Sequence, residues 1–111
     1  MKYYNHGFTP VRGLYSEGVK QLTDEHRLKW IIADVFKCLD QLEYAEGLVY
    51  VTLQRICEQE FQLTLDDEVA FRIEKTIPFD EYPRDKLELH LRFVEYFKNK
   101  KVWGLTLIGE E

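Results

Sequence analysis

Three histidines, two cysteines and a few paired carboxylates are the side chains in this 111-residue chain best suited to chemistry. Nucleophilic or acid–base catalysis needs such groups in mutual reach, and sequence motifs are its usual trace. His6 follows two tyrosines in "YYNH" and is the best placed of the three. His26 falls at the start of a predicted helix, where the dipole favours a neutral imidazole. His90 lies between Leu89 and Leu91 on the polar side of a predicted strand, which suits a cross-strand contact. Cys38 and Cys57 share no Cys-x-x-Cys or similar spacing, so they read as buried thiols in a reducing compartment and not as metal ligands or a disulfide. The pairs Asp66 with Asp67 and Asp80 with Glu81 fall in predicted turns, where carboxylates shape the backbone. A His-Glu-x-x-His zinc signature, a phosphate-binding Gly-x-x-x-x-Gly-Lys loop and a dinucleotide Gly-x-Gly-x-x-Gly are all absent from the sequence. The expectation is a non-catalytic protein with no metal and no cofactor.

Twenty acidic against fifteen basic residues leave a formal charge of −5, which disfavours binding to a phosphate backbone. A DNA-mimicking inhibitor would share that acidity. The basic tip "FKNKK", Phe97 to Lys101, stands beside Trp103 and reads first as a hairpin end that resists aggregation, second as a contact for an acidic partner or nucleic acid. The opening residues lack the apolar run of a signal peptide, and no stretch approaches the roughly 20 apolar residues of a membrane span. The expected location is cytoplasmic.

The length and pattern suit one α+β domain over residues 1–111, with 1–14 as an arm or loop. Ser16 is suited to cap a short helical turn through Leu22. Thr23 then reads as the N-cap of one main helix near 24–40, with Leu28, Ile31, Ile32, Val35, Leu39 and Leu42 as its apolar stripe. After Gly47 the period drops to two. Val49, Val51 and Leu53, then Phe61, Leu63 and Leu65, then Val69, Phe71 and Ile73 predict a meander with turns at Glu58–Gln59 and Asp66–Glu68. Pro78 ends the third strand, and Leu87 to Phe93 and Val102 to Ile108 predict a carboxyl-terminal hairpin, a helix through Tyr96 being the alternative for the former. The sum is an antiparallel sheet of about five strands packed on one helix.

Trp30 falls opposite the helix's apolar stripe, framed by Arg27, Asp34 and Lys37. Covering an indole contributes roughly 2 to 3 kcal/mol, so something is expected to lie over it. One reading makes the amino-terminal arm a clasp, with Tyr15, Val19 and Leu22 as the lid, Gly18 allowing close approach and Lys20 pairing with Asp34. The other makes Trp30, Asp34, Tyr15, Lys20, Tyr4 and His6 a recognition surface for a protein partner or a second copy of the chain.

The same residues carry a resemblance. Tyr3, Tyr4 and His6, then Tyr15 with Gly18, Val19 and Lys20, then Trp30 with Asp34, and "DEYP" at Asp80 to Pro83 together resemble a family of small bacterial domains of unknown function, found on chromosomes and mobile elements. The resemblance implies a small stand-alone domain, often of phage or plasmid origin, and no particular activity. The functional expectation is a protein-binding accessory factor, with an inhibitor of a bacterial defence complex as its specific form. The alternative is a small enzyme or nucleotide-binding protein with a site near His6, Tyr15, Lys20 and Asp34.

Overall fold

The computed structural model describes residues 3–6, 13–38, 48–69, 72–79, 82–97 and 100–109, with the backbone alone described at 5–6, 95–97 and 100–101. Strands β1 (Tyr3–His6), β2 (Gly13–Ser16), β3 (Val49–Cys57), β4 (Glu60–Asp66), β5 (Arg72–Pro78), β6 (Lys86–Phe97) and β7 (Lys100–Leu107) form one sheet. Their order is β1-β2-β7-β6-β3-β4-β5. Helices α1 (Glu17–Glu25) and α2 (Lys29–Lys37) pack against it, so the class is α+β.

The detail differs from the expected five antiparallel strands in two ways. The expected arm supplies two strands, β1 and β2, paired antiparallel with Tyr4 opposite Tyr15. β2 in turn runs parallel to β7, with Gly13 opposite Trp103 and Tyr15 opposite Leu105, so the sheet is mixed. Strands of four residues are too short to show a period, and β7, on which β2 docks, is distant in sequence. The helix through Tyr96 is replaced by strand, as the alternation of Leu87 to Phe93 favoured.

Alternation decides which side chains enter the core. Val49, Val51 and Leu53 of β3, Phe61, Leu63 and Leu65 of β4, Leu89 and Leu91 of β6, and Trp103 and Leu105 of β7 are buried on the helix-bearing face. They meet Val19 of α1, Leu28, and Ile31, Ile32, Val35 and Phe36 of α2. Each such aliphatic side chain contributes roughly 1.5 to 3 kcal/mol of transfer free energy. Phe36 lies so close to β2 that a Cβ at Gly13 would fall 2.5 Å from its Cε1, which is why a strand residue without a side chain stands there. On the other face Val94 leans over Gly104, whose added Cβ would come within 2.9 Å of both valine methyls.

The expected short turn capped by Ser16 is a full helix, and the main helix expected near 24–40 starts later, at Lys29. Ser16 caps α1, its Oγ accepting from the Val19 amide at 3.2 Å, and α1 runs through Thr23 instead of starting there. Thr23 is buried, and its hydroxyl donates back to the Val19 carbonyl at 2.9 Å. The chain then turns at Arg27, whose φ is 56°, and the Leu28 amide reaches the Thr23 carbonyl at 2.8 Å. That six-to-one bond over a left-handed residue is a Schellman ending. Its usual signal is glycine, and an arginine in that place left nothing for sequence reading to detect. The stripe residues Leu28 to Val35 are buried as expected, while Leu39 and Leu42 lie outside the described residues.

Both expected turns are present. Between β4 and β5, Asp66 Oδ1 accepts from the Glu68 amide at 2.7 Å and Asp67 Oδ1 from the Val69 amide at 2.9 Å, with Glu68 at φ 63°. Val69 belongs to this bend and not to the third strand, is 74% exposed, and β5 begins at Arg72. Phe71, Asp80 and Glu81 lie outside the described residues.

Candidate binding site

The Schellman turn sets α2 back against α1 and leaves a cleft between the two helices and β2. Tyr15, Lys20, Thr23, Asp24, Lys29 and Ile32 line a cavity of about 230 Å³ there. Each comes from the local folding just described. Tyr15 projects to the helix face of β2 because its neighbours Leu14 and Ser16 point the other way. Lys20 and Asp24 are one helical turn apart on α1, and Ile32 contributes the apolar floor from α2. Tyr4, opposite Tyr15 in the hairpin, stacks on it with ring centroids 5.7 Å apart.

The cleft is organised around one carboxylate shared by two ammonium groups. Lys20 Nζ donates to Asp24 Oδ2 at 2.9 Å, and Lys29 Nζ lies 3.1 Å from Oδ1. Lys20 Nζ also sits 5.4 Å from the centre of the Tyr4 ring, within cation–π range. The hydrogen bond from Lys20, then that from Lys29, holds the Asp24 carboxyl below its ordinary value, and the same Asp24 contact raises the Lys20 ammonium. Asp24 stands in the last turn of α1, where the helix dipole favours cations. The two lysines hold it against that field.

Of the surface expected from the sequence, Tyr4, Tyr15 and Lys20 come together, while Trp30 and Asp34 do not join them. Trp30 faces the opposite side of α2, where Phe79 meets it edge-on at 5.1 Å, and Phe79 in turn packs on Phe61. Its lid is therefore the segment after β5 and not the amino-terminal arm. Trp30 Nε1 is buried and lacks a hydrogen-bond partner among the described residues. Asp34 does not pair with Lys20. Its carboxylate lies 3.5 Å from Lys75 Nζ on β5 and 3.8 Å from Lys37 Nζ, fixing α2 to the opposite edge of the sheet. The side chain of His6 lies outside the described atoms, and its backbone pairs with Gly13.

The other candidate groups have structural settings. His26 caps the end of α1, not the start of a longer helix, and meets Tyr82 edge-on at 5.3 Å. His90 faces Tyr50 across β6 and β3 at 5.3 Å. Cys38 is half-buried with its thiol 3.5 Å from the Asp34 carbonyl, and burial pushes its pKa up, whereas Cys57 is exposed and so departs from the expected pair of buried thiols. Among the described residues no three His, Cys, Asp or Glu side chains converge as metal ligands. No described helix is long and apolar enough to cross a membrane.

Sequence reading passed over Asp24 and Lys29 as the working charges of the cleft, because both look like ordinary surface residues of a helix. It also passed over Arg55. That guanidinium donates to Asp85 Oδ1 at 3.1 Å, to the Glu58 carbonyl at 3.2 Å and to the Tyr82 carbonyl at 2.5 Å, and lies 4.5 Å from the centre of the Phe61 ring. A second, shallower hollow of about 420 Å³ beside it is lined by Gln54, Arg55, Ile56, Cys57, Glu58 and Asp85. Its arginine and Asp85 are already paired with each other.

Fold and cleft together define a small α+β domain with two helices on one face of a mixed sheet and a charged aromatic notch between them. The chain belongs to the DUF6876 family, a family of unknown function whose model matches residues 1–110. No curated protein and no solved structure shows significant similarity to it.

Proposed function

We propose that the domain is a non-catalytic protein-binding module whose contact centre is the cleft of Tyr15, Lys20, Thr23, Asp24, Lys29 and Ile32. The observation that supports this reading is the size and lining of the cleft. At about 230 Å³ it is smaller than the roughly 300–1,000 Å³ of small-molecule sites, and it suits a single anchoring side chain. An aromatic wall, an apolar floor and paired charges are the composition of an interface hot spot. The finer form of the proposal is an accessory factor of a phage or mobile element that docks on a host protein, its most specific version being an inhibitor of a bacterial defence complex. Small size and net acidity agree with it. The enzyme or nucleotide-binding alternative required Asp34 beside Tyr15 and Lys20, and the Lys75 and Lys37 contacts of Asp34 lend it less support.

Affinity capture with the wild-type domain, Lys29→Glu and a distant control, Thr76→Ala, tests the reading. Lys29 is 74% exposed, so charge reversal there leaves the core alone. A stoichiometric protein partner kept by the control and lost by Lys29→Glu is the expected result. A partner retained by Lys29→Glu, or a bound small molecule in place of a protein, would overturn it.

A further inference from the structure

We infer that the side chain received by the cleft is a carboxylate from an acidic segment of the partner, and that Asp24 is the protein's own stand-in for it. This rests on the protein-binding reading above and specifies the chemistry of the same cleft.

Two ammonium groups converge on one point from different elements, Lys20 from α1 and Lys29 from the start of α2. Each holds a separate oxygen of the Asp24 carboxylate, so the free domain already contains the contact that a bound carboxylate would make. Asp24 places its negative charge at the negative end of α1, and the two ammonium groups outweigh that unfavourable field. Its side chain is 36% exposed, which leaves it a path to turn toward water when another carboxylate arrives. With Asp24 in place the three groups carry a net single positive charge, and with a partner carboxylate added that charge is neutralised.

The wider field permits this choice. Between residues 17 and 38 the cations Lys20, Arg27, Lys29 and Lys37 balance the carboxylates Glu17, Asp24, Glu25 and Asp34, so the net acidity of the chain arises outside the helix layer. The Tyr15 ring, backed by the stacked Tyr4, supplies a wall for the methylenes behind the incoming carboxylate, and Ile32 closes the bottom. Thr23 donates its hydroxyl to backbone carbonyls, so it presents no competing donor to the ligand. A glutamate side chain meets these demands: one negative charge on a short apolar stem.

The sign of the Asp24 effect separates this inference from a merely structural ion pair. If Asp24 competes with the ligand, removing its charge strengthens binding. If the cleft has no use for an external anion, the same change does nothing to binding. The probe is N-acetyl-glutamate N-methylamide, followed by amide chemical shifts in an NMR titration, with the neutral glutamine analogue and inorganic phosphate as comparisons. Contacts between exposed charges are weak, so changes of only a few-fold are expected. The expected result is a saturable shift confined to Tyr15, Lys20, Thr23, Asp24, Lys29 and Ile32, about threefold tighter in Asp24→Asn and about threefold or more weaker in Lys29→Met. The glutamine analogue is expected to produce no such shift. Equal binding of the glutamate and glutamine probes, binding unchanged in both variants, or tighter binding of phosphate than of the glutamate probe would overturn the inference. Should the glutamate probe fail while Lys29→Glu still loses a captured protein, only the carboxylate assignment falls; retention of that protein by Lys29→Glu removes both.

Discussion

At the scale of single residues, Arg55 and the two cysteines give the sharpest expectations. Arg55 is 23% exposed and joins the β3 end, the Glu58 turn, Tyr82 and Asp85 through one planar group. Arg55→Ala is expected to cost about 2 kcal/mol by urea unfolding, because buried stem packing and charged hydrogen bonds are lost together. Arg55→Lys is expected to recover only a minor part, since an ammonium cannot span three acceptors in a plane. The thiols differ in access: Cys57 is exposed, while Cys38 is half-buried and burial raises its pKa. A native thiol assay at neutral pH should therefore show one fast-reacting group, lost in Cys57→Ser. Asp24 governs a third expectation. Its folded-state pKa lies below the ordinary 3.8, so its contribution is complete above that value and disappears as pH falls through the lowered one. The stability gap between wild type and Asp24→Asn should be present at neutral pH and close in strong acid, as thermal melts over that range would show.

At the scale of elements, the readable parts are those whose own period announces them. β3, β4 and β6 alternate over seven or more residues, and Asp66 to Glu68 carries turn chemistry in its side chains. The helix break was hidden because Arg27 takes a left-handed conformation for which glycine is the usual marker. β2 was hidden for another reason, since a glycine so near a proline is the ordinary mark of a loop. Gly13 is instead the space that Phe36 fills. Gly13→Ala is expected to destabilise by about 1 to 3 kcal/mol in chemical unfolding, and Gly13→Ala combined with Phe36→Leu by less than the sum of the two single changes. The cleft was legible only in part. Tyr15 and Lys20 stood out, while the break that brings Lys29 to Asp24 had no trace in the residue pattern.

At the scale of the whole molecule, the wrongly placed tryptophan has a simple account. A single helix on a five-stranded sheet would leave its outer side open, and the chain was expected to cover it from the amino terminus. In the structure the sheet and the segment after β5 reach that side, so Phe79 meets Trp30 while α1 and β2 border the other flank. The helices thus have a structural flank at Trp30 and Asp34 and a charged notch at Lys20 and Lys29. Hydrogen exchange should follow strand position: slowest in β3 and β6, which have neighbours on both sides, and fastest in β1 and β5 at the edges. Slow exchange throughout β1 with fast exchange in β6 would contradict the strand order.

The parallel contact between Gly13–Tyr15 and Trp103–Leu105 has a temporal meaning. During synthesis the segment bearing Tyr15 emerges long before the one it lies beside, and joining them closes a long loop between distant parts of the sequence. An incomplete polypeptide halted before Trp103 would own every residue of the notch and still lack the shelf that holds Tyr15 in place. The binding proposed for the notch would then require β7 to have been made.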